Sequence, residues 1–204
     1  LHLCDRRQRQ MCIRDREEGQ VSMEGKTYRL PQPFMVLATQ NPVETYGTYH
    51  LPEAQMDRFL MKISMGYPEK EEELAILRRS ADAAPANLSA VISLEEIVAL
   101  KEKVEHIHIS PRLEEYIVNL AEATRDSEYI RLGVSPRGSL ALHRTARAYA
   151  VLCGRDYVLP DDIKFLAPFV LTHRIIISPK GKSVLGSPEE VLAQLLRTLT
   201  VPTE

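Results

Sequence analysis

Polar side chains follow directly on an apolar run early in the chain, at Thr39, Gln40 and Asn41. The apolar run is residues 34–38. In open α/β sheets, ligands bind beyond the carboxyl ends of the strands, so an asparagine placed there can offer a donor and an acceptor to a water or a phosphate oxygen. Taken alone the pattern is weak, because Asn-Pro, here Asn41-Pro42, also begins many turns.

Three arginines have the positions that phosphate chemistry would need. Phosphoryl transfer depends on a cation delivered where negative charge accumulates, and Arg58 is a credible donor at the far end of the loop that leaves Asn41. Arg137 falls in the first turn of a proline-initiated helix, where a nearby phosphate would remove its unfavourable interaction with the helix dipole. Arg144 lies two turns further on. The alternatives are a salt bridge between Arg58 and Asp57, and a structural ion pair at Arg144, which we favour there over phosphate contact.

The elements that would position these side chains begin with strands. Residues 21–23 and 27–30 alternate apolar and polar side chains around Glu24-Gly25, which predicts a hairpin. The run 34–38 is apolar without alternation, which predicts a strand covered on both faces in a parallel sheet. Residues 60–65 predict another short strand, which ends at Gly66-Tyr67-Pro68.

After Pro68 the pattern is helical throughout. Helix starts are indicated by serines that either precede a proline or stand three residues before a glutamate. These serines are Ser93, Ser110, Ser135 and Ser187, and the glutamates are Glu96 and Glu190. Pro168 lies within the helical run 163–171 and predicts a kink or a break.

Three segments follow from this layout. Residues 17–68 are expected to be the C-terminal part of an α/β core, and residues 69–204 an all-helical domain, so the chain is mostly α. Residues 1–16 hold five arginines and two aspartates without periodicity. They are interpreted as a foreign or disordered remnant, with a basic arm for RNA as the alternative.

Composition limits the partners and the compartment. The net charge of -2 and the isoelectric point near 6.4 give no bulk attraction to nucleic acid or to an anionic membrane, so neither is expected as a partner. No apolar run is long enough to span a bilayer. Three cysteines at wide spacings, Cys4, Cys12 and Cys153, form no zinc or disulfide pattern, which favours a cytoplasmic protein.

Nucleotide and metal motifs are missing from the sequence. There is no GxxxxGK[ST] loop, and Gly181-Lys182-Ser183 only imitates its end, because Ile176 stands where the first glycine is needed. No apolar run ends in Asp-Glu. His106 and His108 are two residues apart, which does not align them with a third ligand, so no metal site is predicted.

Three motifs resemble those of the MoxR family of AAA+ ATPases, in the family's order. ATQNP is similar to the sensor 1 motif, LPEAQMDRFL to the arginine-finger motif, and GVSPRGSLALHRTARAYAVLCGRDYVLPDDI to the sensor 2 helix and the next lid helix. The resemblance covers residues 17 to about 202. It implies that Asn41 is sensor 1, Arg58 the finger supplied to a neighbouring subunit, and Arg137 sensor 2, with Arg144 extending the basic line toward nucleotide.

The same resemblance implies a fold and a function. The fold would be a fragment of the AAA+ P-loop α/β core, with a β-hairpin plus parallel strands, followed by an all-α helical lid. The cofactors would be ATP and Mg²⁺, whose sites are largely missing from a chain that looks N-terminally truncated and is expected to be inactive by itself. The family forms homo-oligomeric rings, here expected to be hexamers, for chaperone-like remodelling, often beside von Willebrand factor A domain proteins.

Two alternatives remain open. One is a helical interaction or DNA-binding module without nucleotide chemistry, whose recognition helix could only be the basic one with Arg137, Arg144 and Arg147. The other is a magnesium-chelatase-type ATPase subunit. The segment LPEAQMDRF favours the MoxR family over it.

Overall fold

The computed structural model describes residues 19–23, 26–40, 53–78 and 89–201, apart from the side chains of Ser22, Met23 and Glu53. The first two elements are the strands β1, Gln20–Met23, and β2, Lys26–Arg29. They pair antiparallel, with Gln20 opposite Arg29 and Met23 opposite Lys26. The predicted hairpin is confirmed, although its turn at 24–25 lies outside the described residues.

The predicted strands at 34–38 and 60–65 do not form. Both segments lack strand pairing. Leu37 is 83% exposed and Met65 is 98% exposed. A strand is stabilised by a neighbour that takes up its backbone N–H and C=O groups, and among the described residues no strand pairs with either segment. The two segments therefore have the apolar composition of buried strands, but the described residues form no sheet that would cover them.

A series of helices follows, and its starts are where the serines predict them. Ser93 and Glu96 form the reciprocal capping box, with Ser93 N donating to Glu96 Oε2 at 2.7 Å and Glu96 N donating to Ser93 Oγ at 3.1 Å. Ser110 and Ser187 accept hydrogen bonds from the backbone of their first turns. The helices are α1, Glu53–Met56; α2, Lys70–Arg78; α3, Leu94–Glu105; α4, Pro111–Asp126; α5, Pro136–Leu152; α6, Pro160–Leu171; α7, Pro179–Val184; and α8, Pro188–Thr198.

The hydrophobic core lies between α4, α5, α6 and α8. Its centre consists of side chains with at most 1% exposure, among them Leu120, Leu142, Ile163, Val170 and Leu192. Those in α4, α5 and α6 are spaced by three or four residues from other buried positions of their own helix, as an amphipathic helix requires. Burying such side chains contributes roughly 1.5–3 kcal/mol apiece. The helical part therefore has its own core, within residues 107–192.

Two features correct the expectation that everything after Pro68 is helical. Strands β3, Ile130–Leu132, and β4, Ile176–Ile177, pair antiparallel. His108 also forms an isolated parallel bridge with Tyr157. Both are too short for alternation to show in the sequence.

Pro168 does not break its helix. Helix α6 continues past it to Leu171, and a 3₁₀ turn, Thr172–Arg174, follows. The hydroxyl of Thr172 donates to the carbonyl oxygen of Pro168 at 2.6 Å, so this carbonyl near the helix end is satisfied. Within the described part of the chain, no helix combines the length and apolar character needed to cross a bilayer.

Candidate functional site

Arg58 lies in a tight turn directly after α1. The backbone N–H of Arg58 donates to the carbonyl of Gln55 at 3.2 Å, and that of Phe59 donates to the carbonyl of Met56 at 3.1 Å. Both bonds span three residues, as in a 3₁₀ turn, and they fix the backbone that carries Arg58. The Arg58 side chain is itself partly buried and has interaction partners.

Arg174 fastens this turn to the helical part of the chain. Its Nη2 donates to the carbonyl oxygens of Phe59, at 2.7 Å, and Asp57, at 3.2 Å. Its Nη1 reaches the carbonyl of Leu60 at 3.4 Å. Its Nε lies 3.1 Å from Oδ1 of Asp57, an ion-pair contact that is not aligned as a hydrogen bond. One guanidinium thereby contacts both sides of Arg58 along the chain.

Asp57 is shared between Arg174 and the start of α5. The hydroxyl of Ser135 donates to Asp57, at 3.3 Å from Oδ1 and 3.2 Å from Oδ2. Nη1 of Arg137 lies 4.0 Å from Oδ2 of the same carboxylate. The structure therefore brings the segments of two predicted site residues, Arg58 and Arg137, together around one acid.

The hydroxyl of Ser135 does not make the hydrogen bond to the first turn of α5 that its N-cap position predicts. Ser135 is the N-cap of α5, but its side chain makes no capping hydrogen bond. The oxygen is turned to Asp57 instead. The prediction of a helix start was correct, and the partner of the hydroxyl was not foreseen.

Glycines make room for these contacts. A Cβ at Gly138 would stand 2.6 Å from Cγ1 of Val134 and 3.0 Å from Cδ of Arg174. A Cβ at Gly133 would stand 2.8 Å from the backbone of Arg125. Gly138 therefore permits the close approach of α5 to Arg174, and Gly133 permits the close approach of the segment before α5 to the end of α4.

Arg137 keeps 45% of its side chain exposed beside this cluster, while Arg144 is exposed on α5. The ion pair that we favoured for Arg144 has no partner among the described residues. Arg147 is committed elsewhere. Its Nε donates to the carbonyl of Ile107 at 3.0 Å, and its Nη2 to the carbonyl of Glu105, where it satisfies the end of α3. A DNA-recognition helix that needs all three arginines is therefore not supported.

Asn41, the predicted sensor 1 residue, lies outside the described residues. Its neighbour Gln40 is described, and its Nε2 contacts Sδ of Met56 at 3.8 Å. Met56 is the last residue of α1, two positions before Arg58. The end of the ATQNP segment is therefore close to the helix that leads into the turn at residues 57–60, which carries Arg58 and is called the finger turn below.

His173 packs between Arg174 and the finger turn. Its Nε2 lies 2.6 Å from Nη1 of Arg174 and 3.1 Å from the carbonyl oxygen of Phe59. Burial first, and the neighbouring Arg174 cation second, lower the pKa of His173 to about 4. A guanidinium has no acceptor, so the neutral imidazole that this pKa implies is the form that suits the contact. Burial also lowers the pKa of Arg174, and Asp57 opposes that effect, so the guanidinium stays charged.

Our sequence reasoning missed Asp57, Ser135, His173 and Arg174 as members of one cluster. A signal was present for Arg174, because it stands inside the apolar run 169–177. Arginine is almost never fully buried unless it is paired, so a charged residue in such a run indicates a buried ion pair. The partner, more than a hundred residues earlier, could not be read from the pattern.

The segment Gly181-Lys182-Ser183, and the two histidines His106 and His108, have structural roles. A Cβ at Gly181 would stand 2.2 Å from the carbonyl oxygen of Tyr129, so this glycine permits α7 to pack on that loop. His106 is the C-cap of α3, and the backbone of His108 bridges to the 156–158 segment. Within residues 19–23, 26–40, 53–78 and 89–201, no group of three or more metal-binding side chains occurs.

These residues fit only part of a nucleotide site. Arg58 and Arg137 could place cations near phosphate oxygens, and the carboxylate of Asp57 would hold Arg137 while no phosphate is bound. The sequence offers no lysine within a glycine-rich loop and no hydroxyl for Mg²⁺ next to it. The described cations could therefore contact phosphate oxygens, whereas the sequence contains no residues of a phosphate-binding loop.

Comparison with known proteins gives consistent matches along the chain. Residues 5–61 match the ATPase family associated with various cellular activities (AAA), and residues 122–195 match the AAA lid domain. YeaC, an uncharacterized protein of Bacillus subtilis, is 46% identical over 189 residues, which cover 92% of this chain and 59% of YeaC. The chaperone MoxR1 of Mycobacterium tuberculosis is 38% identical over 195 residues, covering 91% of this chain and 52% of MoxR1.

A solved structure agrees with these relatives. The crystal structure of a predicted ATPase from Cytophaga hutchinsonii matches with a TM-score of 0.87 at 37% identity, covering 98% of this chain and 63% of that one. The chain thus spans between about half and two thirds of the proteins it resembles. The AAA match begins at residue 5, within residues 1–16, which were interpreted as a foreign or disordered remnant. The boundary at residue 16 therefore stays a prediction.

Magnesium-chelatase subunits are more distant relatives, at 25–29% identity. The higher identity to the MoxR proteins agrees with the segment LPEAQMDRF, which favours the MoxR family over the chelatase subunits. The AAA match covers the finger turn, and the lid match covers Arg137 and Arg174. The chain therefore has the AAA+ fold with its helical lid, and it belongs to the MoxR family of AAA+ ATPases.

Proposed function

We propose that the whole protein is a MoxR-type ATPase that binds ATP with Mg²⁺ and hydrolyses it in a homo-oligomeric ring, expected to be a hexamer. Arg58 supplies a cation to the nucleotide of the neighbouring subunit. Asn41 orients the attacking water or a phosphate oxygen in its own subunit, and Arg137 contacts phosphate from the start of α5. The exposed Arg144 extends this basic line.

The observation that carries the proposal is the shared carboxylate of Asp57. It joins the turn of Arg58 to the helix start of Arg137, the latter at 4.0 Å. A guanidinium such as Arg137, which an acid holds in the absence of phosphate, can exchange that acid for a nucleotide when one arrives beside the turn that carries Arg58. The charge that develops on a transferred phosphoryl group is what such cations stabilise.

We base the proposed biological role on the relatives. MoxR1 is named a chaperone, and we extend that role to this protein as ATP-driven remodelling or maturation of partner proteins. Proteins with a von Willebrand factor A domain are proposed as partners. We propose no nucleic-acid or membrane partner, and the cytoplasmic localisation stays a prediction.

The first test compares two arginine variants of the complete gene product. Arg58→Ala should leave assembly intact and lower ATP turnover by on the order of 10³-fold or more, since a finger is worth that much in related enzymes. Arg197→Ala is the control, because Arg197 is exposed on α8 and lies in a different part of the lid. Equal turnover in the two variants would remove Arg58 from the mechanism.

A mixing experiment tests whether Arg58 acts between subunits. Arg58→Ala and Asn41→Ala subunits should each be inactive alone and partly active when assembled together. In a mixed ring, a site with intact Asn41 can receive Arg58 from a neighbour. Failure of the mixture, with assembly shown by size-exclusion chromatography, would place both residues at the same subunit's nucleotide.

A further inference from the structure

We propose that Arg174 is a positioning residue for Arg58 and that it makes the finger turn follow the lid. This inference rests on the function proposed above, in which Arg58 touches a nucleotide. Arg174 belongs to the lid match, whereas the turn of Arg58 belongs to the AAA match. No part of Arg174 needs to contact nucleotide for this role.

The contacts of Arg174 are arranged around Arg58 rather than at one point. They include the carboxylate of Asp57 at 3.1 Å and the carbonyl of Phe59 at 2.7 Å, the residues directly before and after Arg58. The carbonyl of Leu60 is a third contact, at 3.4 Å. Three contacts on a segment of four residues limit both the translation and the rotation of its backbone, and therefore the direction in which Arg58 extends.

The lid end of this connection is rigid. The side chain of Arg174 is only 2% exposed, and its Nη1 also donates to the carbonyl of Val170 near the end of α6. Val170, Leu171 and Ile175, on both sides of it, are core residues with at most 5% exposure. A movement of α6 would therefore be carried to the finger turn rather than lost in a flexible side chain.

Asp57 adds a second connection to the lid, from α5. Ser135 donates to the carboxylate at 3.2 Å, and Arg137 lies 4.0 Å from it. Beside these polar contacts, the backbone N–H of Lys62 donates to the carbonyl of Phe169 at 2.8 Å. The turn is thus attached to both α5 and α6. A phosphate that drew Arg137 away from Asp57 would change the charge around Arg174 and the turn together.

The planar fork of arginine is required for this arrangement. A lysine ammonium is a single point charge on a flexible stem and cannot reach a carboxylate and two carbonyls in fixed directions. Arg174→Lys therefore keeps the charge beside Asp57 and removes most of the geometry. Asp57→Asn removes the charge and keeps the guanidinium contacts to the carbonyls of Phe59 and Leu60.

Distances between spin labels test the positioning without any catalysis. In the full chain with Cys4, Cys12 and Cys153 replaced by serine, labels are attached at cysteines in place of Ala54 on α1 and Glu189 on α8, both exposed. The distribution of label distances should be narrow, and Arg174→Lys and Asp57→Asn should both broaden it. The control is Arg155→Lys, because Arg155 also forms a close ion pair within the lid, at 2.6 Å from Asp162. An unchanged distribution in both test variants would overturn the proposal.

Turnover tests whether Arg174 acts through Arg58. In the complete gene product, Arg174→Lys should lower kcat by roughly 10- to 100-fold at an unchanged KM for ATP, since a small misplacement of a catalytic group costs about that much. In the Arg58→Ala background, the same substitution should lower kcat no further. A rise in KM alone, or an equal loss in both backgrounds, would make Arg174 a structural residue only.

The two proposals fail separately. If Arg58→Ala leaves turnover unchanged, the proposed function fails, whatever the label distances show. If Arg58→Ala abolishes turnover but Arg174→Lys changes neither the distances nor kcat, the function stands and the positioning role fails.

Discussion

Arg174 and Asp57 form an ion pair at 3.1 Å although 117 residues separate them in the chain. The arginine is nearly fully buried, while about a quarter of the aspartate side chain is exposed. A buried charge is tolerated only when it is paired and hydrogen-bonded, and Arg174 meets this condition through several carbonyl oxygens. The pair is thus the main polar link between the finger turn and the helical core.

The pH dependence of stability should report on His173. Its pKa of about 4 in the folded protein lies below the ordinary value of 6.5. The unfolded chain therefore binds a proton more readily, so the full stability is present above about pH 6.5 and falls as pH decreases toward 4. Between pH 7 and pH 5 we expect a loss of about 1–2 kcal/mol from this residue.

The comparison for this prediction is His173→Gln, which keeps an acceptor near Arg174 and cannot be protonated. Urea unfolding at a series of pH values should give the wild type a steeper decline than the variant between pH 6.5 and 4. Parallel curves would show that His173 is protonated equally easily in the folded and unfolded states.

Gly138 should not tolerate a methyl group. A Cβ there would stand 2.6 Å from Val134 and 3.0 Å from Arg174, so Gly138→Ala must displace one of them and should lower stability by about 1–3 kcal/mol. Ser139→Ala, at the next position of α5, serves as control and should be close to neutral or slightly stabilising. Thermal unfolding of both variants measures the difference. Equal melting temperatures would mean that α5 can shift outward freely.

The helix starts were predictable because each depends on only a few adjacent residues. The backbone donors of a first turn are satisfied by a serine immediately before the helix, so Ser93-x-x-Glu96 could be read directly. The hairpin around 24–25 was predictable for the same reason. Local pairing rules do not depend on the rest of the fold.

The strands at 34–38 and 60–65, and the Arg174 cluster, needed information that the local sequence does not contain. A buried strand and an exposed apolar segment have the same pattern, and only a paired neighbour distinguishes them. Likewise, Arg58 could be recognised from its motif, whereas the contacts of Arg174 could not be predicted, because only the fold places it beside Asp57. Long-range polar contacts have no periodicity to read.

Two adjacent aspartates at the start of α6 should differ sharply in their effect on stability. Asp162 is buried and accepts from Arg155 at 2.6 and 2.9 Å, and from the backbone N–H of Leu159 at 2.8 Å. Asp161 has a side chain that is 90% exposed, with Lys164 at 3.7 Å. Asp162→Asn should therefore cost about 2–4 kcal/mol, and Asp161→Asn less than about 0.5 kcal/mol.

Chemical denaturation of the two variants decides this prediction, since they make the same substitution one residue apart. The contact of Arg155 with Asp162 also raises the pKa of the guanidinium, so Arg155 keeps its charge from pH 6 to pH 9. The difference between the variants should consequently persist from pH 6 to pH 9. A similar cost at both positions would mean that the helix N-terminus, and not the buried pair, sets the effect.

Ser135 and Ser110 occupy the same position before a proline-initiated helix and should respond differently to alanine. Ser110 accepts from the backbone N–H of Leu113 at 3.3 Å, so Ser110→Ala should cost about 1 kcal/mol as a lost cap. Ser135 makes no cap and donates to Asp57. Its loss should therefore depend on whether Asp57 carries a charge.

A double-mutant cycle separates the two cases. Ser135→Ala should cost about 1–2 kcal/mol in the wild type and markedly less in the Asp57→Asn background, because a hydrogen bond to a charged group is stronger than one to a neutral amide. Ser110→Ala should cost the same in both backgrounds. If Ser135→Ala is equally costly with and without the Asp57 charge, the hydroxyl stabilises α5 locally and does not connect the lid to the finger turn.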